Sequence, residues 1–159
     1  MRVTLNMESD ERSVERAREQ RDSVDGTVLI ADEDVNARII AETLLRACGV
    51  HVRVAIDGPD ARDIISRDRP EVVVLDMALS GMNGLELIRW MRGRLDVLAP
   101  PTQPRIVAIS ERTDPDIERF ALRLGADAFL RKPMDPSQFI KTVEQLLAMP
   151  ARMRVATAS

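Results

Sequence analysis

Five side chains of this sequence stand where they could do chemistry together: Asp32, Glu33, Asp76, Ser110 and Lys132. Each lies at or just past the end of a short apolar run. Val28-Leu29-Ile30-Ala31 ends in Asp32-Glu33-Asp34, Val72-Val73-Val74-Leu75 in Asp76, Arg105-Ile106-Val107-Ala108-Ile109 in Ser110, and Ala128-Phe129-Leu130 leads to Arg131-Lys132-Pro133. Three carboxylates within reach of one another are costly, since two unit charges ~4 Å apart repel by about 4 kcal/mol at an effective dielectric of roughly 20. Either one of them takes a proton or a cation joins the group. Hard oxygen ligands at an exposed edge suit Mg²⁺, which keeps several waters and favours phosphate oxygens. Lys132 would add a positive charge and Ser110 a hydroxyl donor. Taken singly, each residue also has an ordinary reading: Asp32 and Asp34 as helix caps, Asp76 as a cap of its loop or of the next helix, Ser110 as a strand end, and Lys132 as a solvated charge.

The elements that must position these groups are legible from hydrophobic spacing. Short β-branched runs bounded by turn residues read as buried strands. After Asp34, Ile39, Ile40, Leu44, Leu45 and Ala47 recur at helical spacing, and Gly49 ends that helix. Val50, Val52, Val54 and Ile56 alternate as a strand, and Asp57-Gly58-Pro59 turns into a helix carrying Ala61, Ile64 and Ile65. Leu85, Leu87, Ile88, Trp90 and Met91 belong to a third helix. Gly93 to Pro104 is a connection stiffened by Pro100, Pro101 and Pro104. Asp114-Pro115 and Asp135-Pro136 each read as an N-cap followed by proline in the first turn. The helices they open carry Ile117, Phe120, Ala121 and Leu124, then Phe139, Ile140, Val143, Leu146 and Leu147. Strands alternating with helices through short connections predict βαβ units, a parallel sheet and right-handed crossovers. In the order 2-1-3-4-5, the carboxyl ends of the first, third, fourth and fifth strands bring the five polar residues to one switch point, where such sheets bind ligands.

Composition bounds the alternatives. The chain has 159 residues, 45% hydrophobic and 31% charged, which fits one globular domain with extensions. A net charge of −3 gives no basic surface for nucleic acid, and 3% aromatics with no Tyr leave no base-stacking platform. The single Cys48 cannot form an internal disulfide and is expected as buried filler. No run approaches the ~18 apolar residues of a membrane span, and no signal peptide is visible, so the expected location is the cytoplasm without membrane insertion. The expected organisation is a charged extension over 1–24, helical or disordered, a folded domain over 25–149 and a flexible tail over 150–159. Glu8–Arg12 and Arg18–Asp22 have i,i+4 spacing, but Val14, Ala17 and Val24 form only a thin apolar stripe. A solvated helix outside the domain is one reading of the extension, and a docking or dimerising helix is the other.

Asp32-Glu33, Leu75-Asp76-Met77, Met82-Asn83-Gly84, Ser110 and Lys132-Pro133 together resemble the receiver domain of two-component response regulators. The resemblance covers about Thr27 to Ala148. It implies a flavodoxin-like, CheY-like α/β fold: a doubly wound five-stranded parallel sheet of order 2-1-3-4-5 with five helices. It implies that Asp76 accepts a phosphoryl group from a phosphohistidine. It further implies that Glu33, Asp76 and the Ala78 backbone carbonyl ligate Mg²⁺, with Asp32 acting through water. Ser110 would bond the phosphoryl group, Lys132 would pair with it, and Lys132-Pro133 would contain a cis peptide. Phe129, otherwise a core residue, matches the switch aromatic that turns inward when Ser110 moves. By the same resemblance a kinase docks on the first helix from Val35, and Arg119, Arg123, Phe129 and Gln138 lie on the signalling face.

Four positions depart from the family pattern. Glu111 follows Ser110 where a small residue usually leaves phosphate access. Ala78 and Arg112 stand at positions that tune dephosphorylation. Ser80 stands where proline is common.

The expected function is therefore a stand-alone receiver, not an enzyme in the ordinary sense. No output domain follows Ala148, so it would signal through a downstream protein or by onward phosphorelay. Its upstream partner would be a histidine kinase or a histidine phosphotransfer protein, and a homodimer is left open. A receiver-like scaffold working without phosphorylation is the alternative, supported by Glu111. A haloacid-dehalogenase-type phosphatase using Asp76 would want a second acid two residues later, where this chain has Ala78.

Overall fold

The computed structural model describes residues 26–94, 103–111 and 114–149. The charged extension, most of the proline-rich connection, Arg112 and the tail lie outside the described residues. Five strands alternate with five helices: β1 (Thr27–Ala31), α1 (Val35–Ala47), β2 (His51–Ala55), α2 (Gly58–Asp68), β3 (Val72–Asp76), α3 (Gly84–Gly93), β4 (Arg105–Ser110), α4 (Pro115–Leu124), β5 (Ala128–Arg131) and α5 (Pro136–Ala148). The strands form one parallel sheet in the order β2-β1-β3-β4-β5. Among the described residues no helix is long and apolar enough to cross a membrane.

Alternation along the strands builds two cores. Leu29, Ala31, Val73, Leu75, Ile106 and Ala108 face α2, α3 and α4, where they meet Ile65, Leu87, Ile88, Met91 and Ala121. Val28, Ile30, Val72, Val74, Val107 and Ile109 face α1 and α5, where they meet Ala41, Leu45, Phe139 and Val143. Because β1, β3 and β4 are covered on both faces, their sequences are continuous apolar runs.

The helices start where their caps predict. Asp34, Asp57, Asn83, Asp114 and Asp135 each accept a backbone N–H from the first turn of the helix they precede. Asn83 and Glu86 complete a reciprocal capping box, which locks the entry to α3 directly after the Asp76 loop.

Three apolar stripes differ from their spacing, and on α4 it is Ala121 that is buried while Phe120 is more than half exposed. On α1 the buried residues are Ala41 and Leu45, while Ile39 and Ile40 are more than half exposed. Small Ala41 lets the helix sit close to the sheet, and that choice turns Ile39 and Ile40 outward. On β2, Val52 is buried but Val54 and Ile56 are exposed, and Ile56 lies past the strand end. β2 is an edge strand, so its last residues lack cover on one side. Cys48 is half-buried against the α1–α5 core, where burial pushes its thiol above the usual value.

Candidate functional site

Asp32, Glu33, Asp76, Ser110 and Lys132 reach the carboxyl edge of the sheet from four strands. β3 pairs with both β1 and β4, so the residues that end those strands are neighbours across its tip. Asp76 is the last residue of β3, and Met77 just past it still donates its N–H to the Ile109 carbonyl of β4 at 2.9 Å. The Asp76 Oδ1 accepts the Ala78 N–H at 2.9 Å. One oxygen of Asp76 thus caps its own loop, as the ordinary reading expected.

The other oxygen faces Lys132. Lys132 Nζ stands 2.8 Å from Asp76 Oδ2 and 2.7 Å from Asp32 Oδ2. Asp32 is buried, and its Oδ1 accepts the Asp34 N–H at 2.9 Å. Asp34, not Asp32, is the helix cap. Arg38 from α1 donates to the Asp32 carbonyl at 2.7 Å, a contact that no spacing rule indicates. Burial pushes the Asp32 carboxyl above the usual carboxylate range, against the opposing pull of Lys132 and the Asp34 N–H. Burial alone would lower the Lys132 ammonium, but its bonds to Asp32 and Asp76 outweigh that and raise it. Two carboxylates and one ammonium leave this cluster one negative charge in excess.

Glu33 is brought to the same edge but not into the cluster. It is exposed, and its Oε1 accepts the backbone N–H of Ser80 in the β3–α3 loop. Among the described residues no three His, Cys, Asp or Glu side chains stand together as a ready metal cage. The donor chemistry nonetheless suits a hard divalent cation. Asp32 and Asp76 aim one oxygen each at a single cationic point, and Glu33 is next to Asp32 in sequence.

Ser110 is buried at the end of β4, with its carbonyl accepting the Lys132 N–H at 3.0 Å. This bond ties the lysine's backbone to the serine's strand, and the Lys132–Pro133 peptide that follows is cis. Phe129 is half-buried against the core that includes Ala108, Ala121 and Leu124.

The loop after Asp76 is held from below. Gly58 donates its N–H to the Ser80 carbonyl at 3.0 Å, and a Cβ at Gly58 would lie 2.0 Å from the Met82 carbonyl oxygen. Gly84 is packed as closely, with a Cβ there 2.7 Å from Met77 Cα. Beside the cluster opens a groove of about 530 Å³ between α1 and the start of α5. Its lining includes apolar Ile40, Leu44, Met134 and Phe139 and charged Asp34, Glu111 and Lys132. Glu111 itself is exposed.

Residues 28–144 match the family model described as "Response regulator receiver domain". Among curated proteins, the transcriptional regulatory protein GltR of Pseudomonas aeruginosa is 29% identical over 121 residues, covering 76% of this chain and 48% of that one. The chain therefore spans about half the length of that relative. Among solved structures, a putative response regulator from Chloroflexus aurantiacus superposes with a TM-score of 0.70 at 27% identity, covering 78% of this chain and 98% of that one. The chemotaxis response regulator CheY4 of Vibrio cholerae superposes with a TM-score of 0.67 at 24% identity, covering 76% and 98%, which is a likeness of fold.

Proposed function

Since the chain belongs to the response regulator receiver domain family of two-component systems, we propose that it accepts a phosphoryl group on Asp76 from a phosphohistidine in a Mg²⁺-dependent reaction. The observation that carries this reading is the double contact of Lys132 with Asp76 and Asp32 at the carboxyl edge of the sheet. Asp76 is the nucleophile: its carboxylate oxygen forms the bond to phosphorus as the phosphorus–nitrogen bond to the donor histidine breaks, and the imidazole leaves. Such transfers depend on positioning and charge neutralisation more than on covalent chemistry. Lys132 supplies a fixed positive charge to the transferring oxygens, and the Ser110 hydroxyl is placed at the next strand end to bond the product. Asp32, Glu33, Asp76 and the Ala78 carbonyl would hold Mg²⁺, which supplies further neutralisation of the phosphoryl charge.

In this reading, residues 25–149 are the receiver, and Phe129 follows Ser110 when the site is loaded. The upstream partner is a histidine kinase or histidine phosphotransfer protein. The output is a protein contact or onward phosphotransfer. The test is intact-mass spectrometry after incubation with acetyl phosphate or a phosphorylated histidine donor in MgCl₂. The wild-type chain gains a phosphoryl group and Asp76→Asn does not. Equal labelling of Asp76→Asn overturns the nucleophile.

One observation favours a second reading, a receiver-like scaffold used without phosphorylation. Glu111 lines the same groove as Lys132, and a carboxylate there would repel an approaching phosphate. Failure of the wild type to label from any donor, with labelling gained by Glu111→Ala, selects that reading.

A further inference from the structure

Trp90 on α3 carries two guanidiniums. Arg62 of α2 lies 5.5 Å from the ring centroid, and Arg94, just past the end of α3, lies 5.8 Å from it. A cation is drawn to an aromatic face, but two cations on one ring repel each other. The acids of the neighbouring elements do not relieve this. Asp68, the last residue of α2, is taken by Arg53 and Arg67. Glu86, the single acid of α3, is held in the Asn83 capping box at the opposite end of that helix. No acid among the described residues pairs with Arg62, which is exposed. The Trp90 Nε1 is buried and meets no acceptor, which is a costly state for an N–H. The α2–α3 face is thus short of negative charge and of an acceptor at one place.

The chain itself carries matching chemistry. Glu8, Glu11, Glu15, Glu19 and Asp22 recur at intervals of three and four, the spacing that sets side chains on one side of a helix. This stretch enters the domain at Gly26, at the amino edge of the sheet. Both α2 and α3 end at that edge, because the helix of a βαβ unit runs back antiparallel to its strands. Residues 15–25 span up to roughly 36–40 Å when extended, against about 15 Å for the whole of α3. Reach is therefore ample, and a tether of this kind supplies an effective concentration in the mM range, ahead of any free acidic partner.

We propose that the α2–α3 face around Trp90 is the docking site of this chain's own acidic stripe, residues 8–22. Its carboxylates meet Arg62 and Arg94 over the ring and supply the negative charge that Asp68 and Glu86 do not. The contact leaves the carboxyl edge of the sheet, with Asp76, uncovered, and it does not depend on phosphorylation.

Trp90 is the single tryptophan and the chain has no tyrosine, so its emission reports on this ring alone. The experiment is quenching of that emission by acrylamide, a neutral quencher, in the full chain. Raising NaCl from about 0.01 M to about 1 M shortens the screening length from roughly 30 Å to roughly 3 Å and should raise the wild-type quenching constant by about twofold. The triple variant Glu15→Gln, Glu19→Gln, Asp22→Asn should show the high constant already at low salt and no step on adding salt. Arg62→Gln should shrink the step. A wild-type constant indifferent to salt overturns the docking, and so does a step of equal size in the triple variant. A step that grows with protein concentration, together with a dimer in sedimentation, assigns the stripe to a second copy and overturns docking within the chain. The salt step in the wild type decides the matter even if Arg62→Gln does not fold.

Discussion

Lys132 Nζ and Asp76 Oδ2 meet at 2.8 Å from opposite ends of a 56-residue separation. The same ammonium lies 2.7 Å from Asp32, so one cation serves two carboxylates, one buried and one half-buried. That ratio leaves the site short of positive charge, which is a disposition to bind a cation and a source of instability at once.

Removing one of the negative charges should therefore stabilise the fold. The Asp32 carboxyl is raised by burial above its value in the unfolded chain. A group of this sign contributes stability that is present below the unfolded carboxylate pKa and is lost as pH rises through the folded one. At neutral pH Asp32 is thus a charge the fold tolerates. Asp32→Asn keeps an oxygen for the Asp34 N–H and should raise the thermal midpoint at pH 7 by a few degrees in Mg²⁺-free buffer. The gain should shrink as the pH is lowered. Thermal scans from pH 4 to 8 check it, and a lower midpoint for Asp32→Asn at pH 7 contradicts it.

Removing the positive charge should do the opposite. Lys132→Ala leaves Asp32 and Asp76 facing each other without a counter-ion. Breaking a buried pair from one side costs on the order of 3 kcal/mol. The loss should appear in urea unfolding at pH 7 and fall away under acid conditions, where the carboxylates take protons.

A different cluster, at the opposite edge of the sheet, should matter to stability alone. Arg92 from α3 donates to the Gly125 carbonyl at 2.9 and 3.1 Å and to the Pro104 carbonyl at 2.9 Å, and it pairs with Asp127 at 3.2 Å. Asp127 in turn accepts the Ile106 N–H at 2.8 Å. Arg92→Ala removes this donor from the Gly125 and Pro104 carbonyls while Asp127 keeps Arg105 and the Ile106 N–H, and it should lower stability by about 2 kcal/mol. Labelling of Asp76 per folded molecule should be unchanged. Urea unfolding and intact mass of the same sample separate the two effects.

The phosphoform should be long-lived. Hydrolysis of an aspartyl phosphate needs a water placed in line with phosphorus, and positioning of this kind carries several kcal/mol of a barrier. Ala78 offers that water no side-chain hydrogen bond, and the Glu111 carboxylate, which lines the same groove as Lys132, would repel incoming anions. Ala78→Asn should shorten the lifetime by roughly tenfold, and Glu111→Ala should speed loading by acetyl phosphate by a similar factor. On phosphate-affinity gels, growth of the phosphoform in acetyl phosphate gives the loading rate, and its decay after donor removal gives the lifetime. Rates unchanged by either substitution would sink the idea.

Much of this protein is written locally. The order of strands and helices, the caps at Asp57, Asp114 and Asp135, and the placement of Asp32, Asp76, Ser110 and Lys132 at strand ends follow from hydrophobic period and turn chemistry. Each depends on a few neighbouring residues. Right-handed crossovers narrow the ways to wind such a sheet, and the resemblance to receiver domains, rather than any local spacing, implies the 2-1-3-4-5 order that the strands adopt. What the tertiary structure alone decided are contacts between partners far apart in sequence. Nothing local separates Asp32 from Asp34, yet one faces Lys132 and the other caps α1. Ile39 and Ile40 satisfy the helical period as well as Ala41 and Leu45 do, and only packing on the sheet chose between them. Arg38 on the Asp32 carbonyl, Arg92 on Gly125 and Glu33 on Ser80 leave no periodic trace. A long side chain bonding a backbone group elsewhere in the chain obeys the geometry of the folded molecule, and sequence spacing carries no record of that geometry.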